Sequence, residues 1–148
     1  MTLLAEVGLS GYFKFLHKYS RIEEVLSDKD LASLGDAYIN FAYSLALSKS
    51  SGKPAGRKLN NSILSLASRK SGIRRMLSHR VNKHEQANAA EALIVYGWLS
   101  GIISIKETVD ILACEGDLAD NISILLKVIL ERIKGHANFN LNSLHGIP

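Results

Sequence analysis

Leu31-Ala32-Ser33-Leu34-Gly35-Asp36-Ala37-Tyr38-Ile39-Asn40-Phe41-Ala42-Tyr43-Ser44-Leu45 decides the fold class of this chain. Leu31, Leu34, Tyr38, Phe41, Ala42 and Leu45 recur at helical spacing, and Ser27 or Asp28 can cap a helix running to about Ser48. Asp36 falls off that stripe, near Ser33 and Asn40, yet is the only charge in its apolar surroundings. Ala89-Ala90-Glu91-Ala92-Leu93-Ile94-Val95-Tyr96 repeats the pattern, with Glu91 as its only charge. A carboxylate in such a setting tends to lose hydration, which a cation, a metal or hydrogen bonds must offset. Gly35 and Gly97 lie inside the same two helices, where each costs about 1 kcal/mol relative to Ala. Close approach of another backbone is the expected reason, so the two acid-bearing helices are expected to pack together.

Working outward, no stretch shows sustained period-two alternation, and the chain reads as all-α with about seven or eight helices. Residues 2 to 26 read as short helices broken at Gly8, Gly11 and Ser20. Ser48 to Gly56 is the clearest loop. Further helices are expected from about Asn60 to Ser71, from Ile73 to His79, and from about His84 to Leu99. Ser104-Ile105-Lys106-Glu107 matches a capping box for a helix reaching Glu115, and Asp117 can cap a last helix that Gly135 ends. The tail from His136 to Pro148 is Asn-rich and expected to be irregular.

Length and composition place 148 residues in a single domain, 1–148, with an ordinary core. Cys114 alone excludes an internal disulfide and a thiolate zinc cluster, and its stripe predicts a buried, inert thiol. No signal peptide is evident, and the run from Ala92 to Ile105 is too short and interrupted for a membrane span, so a cytoplasmic location is expected. The net charge of +4 is modest, but its distribution is not. Ten Lys and Arg residues and no acid fall between Ala37 and His84, while acids outnumber bases from Glu85 onward. That segregation suggests a basic face, the alternative being a solvated surface that attracts nothing specific.

Magnesium supports phosphodiester hydrolysis when a few carboxylates hold it and leave positions open for water and phosphate. Asp36 and Glu91 could supply two such carboxylates from neighbouring helices, with the basic segment holding the phosphate backbone. A salt bridge to a central basic residue explains either acid alone; the shared context favours a joint site. The candidate phosphate contacts are Arg57, Lys58, Arg69, Lys70, Arg74, Arg75, Lys83 and His84. Gly52 to Lys58 lacks Walker spacing and reads instead as a flexible phosphate-contacting loop.

Leu34-Gly35-Asp36-Ala37 resembles the core of the ribonuclease III signature, and Glu91-Ala92-Leu93-Ile94, followed by Tyr96 and Trp98-Leu99, resembles that family's second acidic motif. Order and separation also fit, and the resemblance spans roughly residues 25 to 115. It implies an all-helical homodimer that cuts double-stranded RNA with magnesium, manganese being a possible substitute, and leaves a 5′-phosphate. Asp36 and Glu91 would be catalytic metal ligands, and Asn88 a neutral oxygen donor one helical turn before Glu91.

The departures shape the functional reading. Where the signature has glutamates, this chain has Lys29 and Ala32; where the second motif opens on aspartate, it has Asn88; the acid-free central segment lacks a further glutamate. The reduced acidic set resembles the Mini-ribonuclease III branch, and an archaeal-type relative is the other match. The chain after Glu91 is too short and helical for a double-stranded-RNA-binding domain. Three functions follow: a magnesium-dependent endoribonuclease for structured or double-stranded RNA, a weak or inactive relative that binds RNA within a ribonucleoprotein, and a helical interaction domain, which the acid-free segment disfavours.

Overall fold

The computed structural model describes residues 9–77 and 80–135. Six α-helices follow one another: α1 (Ile22–Leu26), α2 (Lys29–Ser51), α3 (Asn61–Ser71), α4 (Lys83–Leu99), α5 (Ile105–Leu112) and α6 (Leu118–Lys134). Two short 3-10 turns, Lys14–Lys18 and Ile73–Met76, complete the all-helical fold. Side-chain caps set the helix starts. Asp28 accepts the Leu31 N–H at 3.0 Å, Asn60 that of Ser62 at 2.8 Å and Ser104 that of Glu107 at 3.0 Å. Asn82 and Glu85 form a reciprocal capping box that starts α4 at Lys83. Gly52 and Gly72, at φ 77° and 85°, end α2 and α3 in the left-handed conformation that glycine adopts without strain.

α4 is the central helix. It packs against α1, α2, α3 and α6, its most extensive contact being with α2. Ala87, Ala89, Ala90, Ala92, Leu93, Ile94 and Val95 are all buried, as a helix surrounded by others requires. Ile39 of α2, Leu64 of α3 and Ile122, Leu125 and Ile129 of α6 close the core around it. Tyr38 stacks on Trp98 with ring centroids 4.8 Å apart and donates its hydroxyl to Thr108 at 3.1 Å.

Several boundaries and faces differ from expectation. α2 continues three residues past Ser48, to Ser51. α5 stops at Leu112 rather than Glu115, and Asn121 Nδ2 donates to the Cys114 carbonyl at 2.8 Å where the chain turns toward α6. That turn leaves Cys114 exposed, not buried. The basic helix expected over Ile73–His79 is a 3-10 turn ending at Met76; Ser78 and His79 lie outside the described residues, as do the expected break at Gly8 and the tail from His136. On α2 the buried face runs through Leu31, Ala32, Gly35, Tyr38, Ile39, Ala42 and Ala46, while Leu34 and Phe41 face outward at 44% and 57% exposure.

Candidate active site

The two acid-bearing helices meet at Gly35. A Cβ there would lie 2.1 Å from the carbonyl oxygen and 2.5 Å from the carbonyl carbon of Glu91, so only glycine allows this approach of α2 to α4. The close backbone contact expected of Gly35 is present, and at the residue that carries the second acid. Gly97 has another cause: a Cβ there would come 3.0 Å from the side chain of Ile129, so this glycine serves the α4–α6 contact.

Asp36 and Glu91 occupy unlike surroundings. Glu91 is only 4% exposed, and its Oε2 is buried with no hydrogen-bond partner. Burial pushes its carboxyl up to about 8, helped by a hydrogen bond to Asp36 and by the Asp36 charge. Asp36 is exposed, contrary to the dehydration its apolar neighbours predict. Its Oδ1 accepts a hydrogen bond of 3.1 Å from Asn40 Nδ2. A dry carboxyl is thus paired with an exposed acid, whose proximity helps hold Glu91 toward its protonated form.

This pair has the chemistry of a site for a hard cation. Two carboxyls converge, one is buried, and one buried oxygen lacks a donor that a divalent ion could replace. Among the described residues no cluster of three or more His, Cys, Asp or Glu is present, so protein anions at the site are few. Asn88, half-buried on α4, lines a cavity of about 80 Å³ with Leu26, Ser27, Lys29, Leu77, Val81 and Glu85. Two of the departures from the ribonuclease III motifs, Lys29 and Asn88, thereby share one cavity, whose lining includes neither Asp36 nor Glu91. Ala32, a third departure, is buried in the core.

A sequence model of the family described as Ribonuclease III matches residues 29–135, more than half of the chain. The chain belongs to the ribonuclease III family. Among curated proteins no sequence match is found. Membership makes RNA processing by a nuclease the coarse function of the family's fold here, and RNA the class of partner. No helix among the described residues is long and apolar enough to cross a membrane.

The basic candidates are distributed unevenly. Arg74 and Arg75 on the 3-10 turn, and Lys83 and His84 in the first turn of α4, are exposed. Arg57 and Lys58 are exposed on the segment between α2 and α3. Lys70 is ion-paired with Asp120 and Arg69 donates to Gln86 at 3.0 Å, so these two already have partners within the fold. The segment carrying Arg57 is tethered rather than flexible: Ser48 and Ser44 bond the backbone of Ala55 and Arg57, and Asn40 that of Leu59. Asn40, near Asp36 in the sequence but not among the candidate site residues, donates to that acid. Its spacing of four from Asp36 on one helix face was the available signal.

Proposed function

We propose that this ribonuclease III-family chain is a divalent-metal-dependent endoribonuclease that cuts structured or double-stranded RNA as a homodimer. The observation that carries the reading is the buried Glu91 carboxyl, one oxygen without a donor, set against Asp36. Asp36 and Glu91 would hold Mg²⁺, or Mn²⁺ in its place, with Asn88 as the candidate neutral oxygen donor. Bound there, such an ion would lower the pKa of a coordinated water and stabilise charge on the phosphate. Glu91 must lose its proton to ligate, so ion binding releases a proton and strengthens as pH rises toward about 8. Arg74, Arg75, Lys83, His84, Arg57 and Lys58 would hold the RNA backbone, and two of them stand at the positive end of α4, where anions are favoured. Exposed Leu34 and Phe41, seven apart on α2, support pairing with a second copy. Tyr38, buried against Trp98, adds nothing to such an interface.

The test is incubation with double-stranded RNA and Mg²⁺ or Mn²⁺. Cleavage should fall by roughly 10² or more in Asp36→Asn and in Glu91→Gln, as loss of a metal-centred step implies. Asn88→Asp should tighten metal binding, because added negative charge offsets dehydration of the ion. One observation favours a second reading, an RNA-binding protein without cleavage: the small acidic set among the described residues. Binding that weakens steeply with salt, less steeply in Arg74→Ala/Arg75→Ala, together with no cleavage in either metal, would establish that reading instead.

A further inference from the structure

The segment after α2 runs back along that helix as a strap. Asn40, Ser44 and Ser48 stand one turn apart on α2, and their side chains bond the backbone of Leu59, Arg57 and Ala55, alternate residues of the strap. The spacings match: four helical residues rise about 6 Å, and two extended residues span about 6.6 Å. The last rung differs from the others because its side chain also reaches an acid. Asn40 Oδ1 accepts the Leu59 N–H at 2.6 Å, while Nδ2 donates to Asp36 Oδ1 at 3.1 Å. The Leu59 N–H can only donate, so it settles which end of the amide faces the strap and leaves the NH₂ aimed at Asp36.

We propose that Asn40 is a positioning residue for the Asp36 carboxylate, itself held by the Leu59 backbone, so that the strap bearing Arg57 and Lys58 sets the geometry of the acidic site. The inference rests on the reading of Asp36 as a metal ligand. An exposed carboxylate on a helix samples several rotamers, and a fixed amide donor to one oxygen restricts them and leaves the other oxygen for an ion. Neither Ser44 nor Ser48 bonds Asp36 in this way, so loosening the strap at its far end should not disturb the site.

The experiment measures Mn²⁺ binding to the full chain without RNA, by loss of the free-ion paramagnetic resonance signal. Asn40→Ala should weaken Mn²⁺ binding by about 10-fold, the scale typical of a lost hydrogen bond to a metal ligand. Alanine is a better helix former than asparagine, so the fold should persist. Asn40→Ser, whose side chain is too short to reach both Leu59 and Asp36, should lose as much. Ser48→Ala should leave the affinity unchanged. Affinity in Asn40→Ala within about twofold of the parent, well below the change expected for such a residue, overturns the proposal. An equal loss in Ser48→Ala also overturns it, because strap tension and not the Asn40 amide would then be the cause. Asp36→Asn is the control on the underlying reading: undiminished Mn²⁺ binding there removes Asp36 as a ligand, whatever Asn40 does.

Discussion

The helices that carry Asp36 and Glu91 have similar local sequences and opposite environments. α2 lies at the side of the molecule, buried along one face through Leu31, Gly35, Tyr38, Ile39 and Ala42, and Asp36, the residue after Gly35, is exposed at the edge of that contact. α4 is enclosed by four other helices, so Glu91 has no wet face to turn to. The same apolar flanks therefore leave one carboxylate hydrated and hold the other in its neutral form near neutral pH. The difference shows that a carboxyl's environment comes from the helix's place in the bundle, not from its nearest neighbours in sequence. It also gives the pair an asymmetric character, with one acid exposed and the other buried and held toward its protonated form.

The hardest way to break this arrangement is at the point where the helices touch. Gly35→Ala places a methyl group 2.1 Å from the Glu91 carbonyl oxygen, on backbone that cannot rotate away. We expect a loss of more than about 3 kcal/mol, a large share of a small domain's stability, read by urea denaturation. A loss under about 1 kcal/mol, the cost of an ordinary surface change, would show that the helices separate easily.

Next in size is the contrast between the two acids themselves. The Glu91 pKa is raised from 4.5 to about 8, so the folded state favours the protonated form. Below pH 4.5 folded and unfolded chains are both protonated and the group costs nothing. As pH climbs from 4.5 to about 8 the unfolded chain ionises first, and stability falls. Glu91→Gln should therefore stabilise the metal-free protein at pH 8, by up to about 4 kcal/mol, and flatten the pH dependence. Exposed Asp36 should behave differently, Asp36→Asn changing stability by less than about 0.5 kcal/mol. Equal effects of the two substitutions would remove the asymmetry. Mg²⁺ near 100 times its Kd should add about 2.7 kcal/mol to the parent and far less to Glu91→Gln, measured by thermal unfolding.

The smallest expected effect is at the other interior glycine. A Cβ on Gly97 meets the Ile129 side chain at 3.0 Å, and a side chain can yield where backbone cannot. Gly97→Ala should cost about 1 kcal/mol or less, since overpacking is partly offset by better helix propensity. A cost matching that of Gly35→Ala would mean that α4 and α6 are as tightly fixed as α2 and α4.

Much of the fold was legible because its signals are local. The caps at Asp28, Ser104 and Asp117 stand next to the helices they start, and Gly135 next to the one it ends. The acidic pair was legible through two short motifs and the absence of breakers around them. The bond between Asn40 and Leu59 was not, because it depends on a backbone N–H nineteen residues away arriving at the amide oxygen. Cys114 was misplaced because the apolar spacing of α5 was extended past Leu112, where the helix ends and the chain turns toward α6.

By itself the sequence determined the helical class, the order of the helices, the family and which two acids to examine. Periodicity, caps and motifs act over a few residues and survive being read one segment at a time. Tertiary structure alone decided that Glu91 is dry and Asp36 wet, that Tyr38 is core while Phe41 is surface, and that Lys70 is already paired while Arg74 and Arg75 are exposed. Those outcomes depend on which face of each helix another element covers, and burial, charge pairing and pKa follow from that covering.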